Sequence, residues 1–286
     1  MKKNWIKLFF VTVLAGSLAV GCFEEDALNT DIDERSAQDN ASSELNVARV
    51  FENVNNYGIS EENGKKSGLF DPTVSVSWNE AHDVMTLTFS GDASGSINVA
   101  FNQAYPNYAM NGLTATITFN NYVNGGVGMN GTITFTMHQG IFGTAKPHFQ
   151  MSASNWVTFT QGSQTYKWKG DRHFIWDSGY SLTSLPVFTD DVYKIYGNSQ
   201  GQNANGGLFE VNIAEATPVT IDAACEHRLI SGVMTLIDNP GADQISLSMD
   251  YSAGATASQV GQCDDYVLLT MVSNGTTITL KIRMNQ

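Results

Sequence analysis

Alternation of apolar and polar side chains constrains the fold of this 286-residue chain more than any other feature. Threonines and serines separate consecutive apolar residues in most of these stretches. Successive side chains of a β-strand point to opposite faces, so the pattern buries one face and leaves the other in water. It predicts an antiparallel all-β fold. The alternating stretches are residues 74–78, 113–119, 132–137, 244–251 and 277–284.

Turn-forming glycines and asparagines separate these stretches, and Asn274-Gly275 between two apolar runs predicts a hairpin. The chain has room for roughly 14 to 16 strands. This number leaves two arrangements open, an antiparallel β-sandwich or two β modules in series. The predicted division places an N-terminal β region at residues 70–185 and a C-terminal β region at residues 186–286.

One short amphipathic helix is predicted before the strands. Apolar residues recur at i, i+3, i+4 and i+7 from Val47 to Val54, and Gly58 follows them. This spacing predicts a helix over residues 43–58 that lies against the sheet or leads into it. Residues 22–42 are polar and acidic, which is typical of a disordered tether.

The N-terminus has the parts of a bacterial export signal. Lysines precede an apolar run from Leu8 to Val20, which is shorter than the ~20 residues that a membrane-spanning helix needs. The small residues that follow this run lead to Cys22, and the segment looks like a lipobox. We therefore expect residues 1–21 to be a lipoprotein signal peptide and Cys22 to be lipidated. Two or more lipid chains hold a protein stably on a membrane, so the membrane is an expected partner.

Net charge excludes one class of partner. The chain has 15 basic and 28 acidic residues. Removal of residues 1–21, which contain three lysines and no acid, leaves 12 bases against 28 acids and a net charge of −16. Such a body repels nucleic acid phosphates, so nucleic acid is not an expected partner.

Only Cys225 and Cys263 remain once Cys22 is lipidated. Exported proteins fold in an oxidising environment, so an isolated cysteine pair predicts one disulfide. A zinc site needs further ligands, and neither a CxxC nor an HxxxH spacing accompanies the pair. No metal and no cofactor is predicted.

Acidic residues of the segment 23–26 follow Cys22 directly, and the C-terminal part carries a series of short motifs: Cys225, Ser231-Gly232, Asp250-Tyr251, Gly261-Gln262-Cys263-Asp264 and Asn274-Gly275. In these features the chain resembles a group of lipoproteins common in Bacteroidota. In that group the aspartate–tyrosine and glycine–cysteine–aspartate steps usually share one turn, whereas residues 252–260 separate them here. The resemblance implies an outer-membrane location at the cell surface, with the periplasmic face as the alternative, and it implies no reaction.

Aromatic residues are concentrated in the segment 156–176. Tyr166 and Trp168 share one face of a predicted strand, and so do Phe174 and Trp176. Exposed rings in such an arrangement form a platform for sugar rings. In the competing interpretation, the same large rings fill the core of the sheet.

Other candidate sites have less support. Asp250, Asp264 and Asp265 flank the Cys263 turn, but no calcium-loop pattern accompanies them, so a solvated acidic turn is the favoured interpretation. No GxSxG motif is present, and no catalytic residue is predicted. The histidines show no metal-binding spacing and are interpreted as scattered structural or surface residues: His82, His138, His148, His173 and His227.

These features favour a non-enzymatic binding or scaffold lipoprotein of the outer membrane, whose partner is a glycan or an envelope protein. The first alternative is a carbohydrate-binding surface lipoprotein of a glycan-uptake system, motivated by the aromatic segment. The second alternative is a hydrolase with an unrecognised site.

Overall fold

A computed structural model of the protein describes residues 34–62, 73–104, 110–140, 145–179, 190–225, 229–240, 245–252, 263, 266–273 and 276–283. Within these residues the chain forms one helix and a 16-stranded sheet. The elements are α1 Glu34–Glu62, β1 Val74–Trp78, β2 Val84–Ser90, β3 Ser94–Phe101, β4 Thr114–Asn124, β5 Val127–Asn130, β6 Thr132–Gln139, β7 His148–Gln161, β8 Gln164–Ser178, β9 Val192–Gln202, β10 Leu208–Ile213, β11 Val219–Asp222, β12 Leu229–Ser231, β13 Val233–Asp238, β14 Ile245–Asp250, β15 Tyr266–Ser273 and β16 Thr276–Arg283.

The strands pair antiparallel, mostly with their neighbours in the chain, which confirms the predicted all-β antiparallel fold. The long strands β4 and β7 flank two shorter ones, β5 and β6. β8 and β9 lie on either side of the predicted boundary between residues 185 and 186, yet they pair directly. The described strands therefore form one continuous hydrogen-bonded sheet.

Two local predictions in the C-terminal half are confirmed. β15 and β16 pair along their whole length up to Ser273 and Thr276, which is the hairpin that the Asn274-Gly275 dipeptide predicts. Cys225 and Cys263 form the predicted disulfide. The disulfide joins the chain just after β11 to the chain just before β15.

The helix is much longer than predicted. α1 contains 29 residues, continues through Gly58, and includes the second half of the segment 22–42 that was predicted to be a disordered tether. The prediction of a helix limited to residues 43–58 is therefore wrong. The predicted signal peptide, the lipidation site Cys22 and the first part of the tether lie outside the described residues. No helix in the described part of the chain is long and apolar enough to cross a membrane.

The sheet buries α1 on most of its surface, and the main apolar contact is Phe51. This ring is fully buried and packs on four rings from consecutive strands of the sheet. The nearest is Phe174, whose ring centroid lies 4.1 Å away in a stacked orientation. Rings from neighbouring strands thus converge on one helical side chain, which fixes the rotation of α1 against the sheet. The other three are Phe135, Phe149 and Tyr193.

Polar contacts hold the N-terminal half of α1. Arg172 of β8, whose side chain is 0% exposed, donates from Nε to Glu44 Oε2 at 2.9 Å and from Nη2 to Glu44 Oε1 at 2.6 Å. Nη2 also donates to Ser199 Oγ. Ser36 donates to Asp238 of β13 at 2.8 Å, across 202 residues of chain. Because buried polar groups are costly without partners, these paired contacts allow a polar helix to lie inside the sheet.

Candidate functional site

The predicted aromatic platform is wrong, because all four rings belong to the core. Tyr166, Trp168, Phe174 and Trp176 lie on the face of β8 that points towards α1, and their exposed fractions are 1%, 0%, 1% and 2%. Ser42 Oγ of the helix lies 2.6 Å from the hydroxyl oxygen of Tyr166. Side chains buried in this way do not contact a ligand at the surface. The interpretation of the aromatic segment as core packing is the one that the structure confirms.

Trp176 belongs to a buried polar group that the sequence did not predict. Asp191 accepts a hydrogen bond from Trp176 Nε1 at 3.1 Å and another from the hydroxyl of Tyr193 at 3.0 Å. The carboxyl is 1% exposed, and burial raises its pKa to about 7 although both hydrogen bonds act in the opposite direction. Asp191 thus titrates near neutral pH inside the core.

The opposite face of the sheet carries a groove of about 520 Å³ across β8, β9, β10 and β13. We call it the outer groove. Polar side chains line it at the outward positions that alternate with buried ones, together with apolar surface from residues such as Ile237. The polar side chains used below are Lys169, Asp171, Asn198, Gln200, Glu210 and Asn212.

A close approach of two strand backbones shapes the outer groove. Gly170 has a φ of +148°, and a Cβ atom built on it would lie 2.4 Å from the carbonyl oxygen of Asn198. Gly197 on the neighbouring strand has a φ of +127° and approaches the carbonyl oxygen of Asp171 equally closely, with a Cβ distance of 2.5 Å. Only glycine allows the two backbones to come this near in that conformation. The glycine pair therefore shapes the groove.

Cross-strand hydrogen bonds order the side chains of the outer groove. Gln200 Nε2 donates to Glu210 Oε1 at 3.0 Å, and Asn212 Nδ2 donates to Asn198 Oδ1 at 2.7 Å. The second bond uses the carbonyl oxygen of one amide and the nitrogen of the other. The NH₂ group of Asn198 and the carbonyl oxygen of Asn212 stay outside this bond. The groove thus presents both donors and acceptors in fixed positions.

Trp156 lies next to Lys169, one of the residues that line the outer groove. Residues Ser154 to Trp156 form a bulge in β7, because Ala153 pairs with Gly170 whereas Val157 already pairs with Trp168. A bulge re-aims the side chains of its strand. The ring of Trp156 is half-buried, and the ammonium group of Lys169 lies 4.6 Å from its centroid.

A second cluster crosses the same face of β6, β7, β8 and β9. His138, His148, His173 and Tyr196 stand side by side there, and we call them the histidine row. The prediction that the histidines are scattered is wrong for these three, because antiparallel pairing brings strands that are distant in sequence into register. Burial, followed by the neighbouring imidazoles, lowers the pKa of His148 to about 4, so this ring is neutral at pH 7.

The remaining predicted sites are not assembled within the described residues. Asp250 ends β14, where its carboxylate accepts from the backbone N–H of Ser252 at 2.8 Å. Asp264 and Asp265 lie outside the described residues, as does His227. Among the residues that the structure describes, no three His, Cys, Asp or Glu side chains already converge on a common metal position.

Comparisons of the chain with protein-family models, with curated proteins and with solved structures found no match.

Proposed function

We propose that this chain is a non-enzymatic binding protein of the outer membrane, held there by a lipid on Cys22, and that the outer groove binds a glycan. The observation that supports a glycan is the ordered row of amides and carboxylates along the groove floor. The lipid anchor rests on the sequence of residues 1–26 and on the resemblance to surface lipoproteins.

The chemistry of the groove complements hydroxyl groups. A sugar hydroxyl both donates and accepts hydrogen bonds, and side-chain amides such as Asn198, Gln200 and Asn212 also provide both functions. Their mutual bonds, and the bond from Gln200 to Glu210, hold them in place before any ligand arrives. A preorganised site loses less conformational freedom on binding, so more of the interaction energy contributes to affinity.

Trp156, beside Lys169, adds an apolar surface near this polar row. Lys169 covers the ring and is itself partly exposed, so it can swing away on its flexible stem. The face of an indole packs against the C–H groups of a pyranose ring. The combination of one aromatic surface with neighbouring amides and carboxylates favours a sugar over a purely apolar ligand.

Charge favours a neutral glycan. Lys169, Asp171 and Glu210 place one cation and two carboxylates in the outer groove. An anionic ligand would meet these carboxylates and the acidic remainder of the body, and both repel it. We therefore expect neutral oligosaccharides to bind better than sulfated or uronic acid-rich ones.

The direct test is a glycan array probed with residues 23–286, followed by calorimetry on each glycan that binds. Asn198→Ala with Asn212→Ala should weaken binding roughly tenfold or more, because two neutral hydrogen-bonding side chains are lost. Gln164→Ala removes an exposed amide at the tip of the β7–β8 hairpin and is the matched control, with unchanged affinity. Wild-type affinity in the double variant, or no binding to any glycan, would refute the proposed function.

Recovery of the glycan separates binding from hydrolysis. After prolonged incubation with the protein, mass spectrometry should find the oligosaccharide intact. Shortened products that disappear when Asp171 and Glu210 are both changed to amides would instead support the hydrolase hypothesis.

Anchoring is tested separately in cells. Cys22→Ser should abolish incorporation of a radiolabelled fatty acid and release the protein from the membrane fraction. Equal membrane retention and equal labelling in the variant would contradict the lipid anchor, and they would leave the glycan assay on residues 23–286 unaffected.

A further inference from the structure

The histidine row is the strongest unexplained cluster in the described part of the molecule. His148 Nε2 and His173 Nδ1 lie 2.9 Å apart, so two imidazole nitrogens face each other directly. The ring centroid of His138 lies 5.0 Å from that of His148 and 5.9 Å from that of His173. Three imidazoles therefore share one small patch of partly exposed surface.

From this geometry we propose that the histidine row binds one divalent transition-metal ion through His148 Nε2, His173 Nδ1 and His138. Zinc, copper and nickel are the candidates, because imidazole is a good ligand for each of them. The site shares only Asp171 with the outer groove, and its test does not depend on glycan binding.

The separation of the two facing nitrogens suits such an ion after a small adjustment. Zinc lies about 2.0–2.1 Å from an imidazole nitrogen, and tetrahedral ligands at that distance are about 3.3 Å from each other. A displacement of one ring nitrogen by a few tenths of an ångström widens the distance between His148 Nε2 and His173 Nδ1 to this value. The patch is partly exposed, so the rings have room to make this movement.

Asp171 supplies the second feature of a metal-binding histidine. Its Oδ2 lies 3.4 Å from His173 Nε2, on the side of the ring away from His148. Histidines that bind metals usually direct their other ring nitrogen at a carboxylate, which fixes the tautomer and the ring orientation. This arrangement leaves the lone pair of His173 on Nδ1. The proton between the two facing nitrogens then belongs to His148 Nε2. When a metal ion binds, this proton is exchanged through water to His148 Nδ1, so that both facing nitrogens offer a lone pair and His148 stays neutral.

Tyr196 orients the site. Its ring stacks on His173 with centroids 4.7 Å apart and an interplanar angle of 8°. Its hydroxyl lies 3.4 Å from His148 Nε2, and a phenol, whose ordinary pKa is about 10, is a poorer ligand at neutral pH than an imidazole. The third ligand is therefore assigned to His138, which must leave Gln150, since its Nε2 now lies 2.9 Å from Gln150 Oε1.

Calorimetric titration of residues 23–286, prepared without a histidine tag and treated with EDTA, tests the proposal with zinc and nickel salts. We expect one ion per chain with a dissociation constant in the micromolar range. His148→Ala and His173→Ala should each raise that constant at least tenfold, whereas His82→Ala, at an exposed turn outside the row, should leave it unchanged. No saturable binding, or unchanged affinity in both variants, overturns the proposal.

Chemical modification of the wild-type protein provides a measurement that does not depend on variants. Diethyl pyrocarbonate reacts with unprotonated histidines, and mass spectrometry locates the products. Saturating zinc should protect His138, His148 and His173 but should not protect His82. Equal modification of all four histidines with and without zinc overturns the metal site, even where an alanine variant fails to fold.

Discussion

Replacement of Arg172 by methionine should destabilise the protein by about 3–5 kcal/mol, the usual cost of removing one partner of a buried ion pair. Methionine retains much of the volume, so the loss is mainly electrostatic. Glu44, whose side chain is 4% exposed, would lose both N–H donors of the guanidinium group together with its counter-ion. Ser199 would lose its contact with Arg172 as well.

The double variant Arg172→Met with Glu44→Leu separates the cost of the orphaned charge from the value of the pair. Apolar replacement of both partners of a buried pair is often neutral or stabilising, so we expect the double variant to be more stable than Arg172→Met alone by about 2 kcal/mol or more. Lys146→Met is the control, because it removes an exposed partner of Asp177 and should cost at most about 1 kcal/mol.

Urea unfolding followed by tryptophan fluorescence measures these free energies. In a thermal scan the loss in Arg172→Met corresponds to a Tm lower by roughly 6–20 °C, since a domain of this size shifts by about 2–4 °C per kcal/mol. A loss below about 1 kcal/mol in the single variant, or a double variant as unstable as the sum of its single variants, would refute the role given to this ion pair.

Three further changes probe the core and the groove. Burial raises the pKa of Asp191 from about 3.8 to about 7, so the folded protein loses stability as pH rises through this window; Asp191→Asn should flatten that dependence in urea unfolding from pH 4 to 8, and an unchanged slope would contradict the assignment. Phe51→Ala removes the ring on which four others converge and should cost about 3–5 kcal/mol of unfolding free energy, with a cost under 1 kcal/mol counting against its central place. Gly170→Ala places a Cβ atom against Asn198 and should cost about 1–3 kcal/mol and weaken glycan binding, whereas Gly128→Ala, with no atom nearer than 3.7 Å, should leave glycan affinity unchanged; similar affinities in the two variants would argue against a role of this close backbone approach in the groove.

The strands could be predicted from the sequence because the pattern that determines them is local. Within each alternating stretch, the apolar positions show which side chains are buried. The N-terminal half of α1 could not be predicted in the same way. Its polar residues, such as Ser36, Asp39 and Asn40, resemble those of a solvated tether, and the partner of Ser36 lies 202 residues away. Burial of polar side chains by distant partners leaves no periodic signal.

For the aromatic segment, the sequence could predict which face of the strand is buried and which is exposed. Period two places Tyr166 and Trp168 on one face, and the charged residues between and after them, Lys167, Lys169 and Asp171, indicate that the other face is the wet one. This alternation favoured burial of the rings in the core, and it could have identified the opposite face of β8 as the polar one. The outer groove and the histidine row could not be predicted from the sequence, because each combines residues from several strands whose register is not visible in the sequence.

The position of α1 has a consequence for the order of assembly. Although α1 precedes every strand in the chain, groups that pair with its buried polar side chains belong to β8 and β13, and Asp238 of β13 follows Ser36 by 202 residues. The N-terminal half of α1 therefore cannot complete its buried contacts until most of the sheet has formed. A chain truncated anywhere before Asp238 should lack the Ser36 contact, and proteases should degrade it faster than the full-length protein.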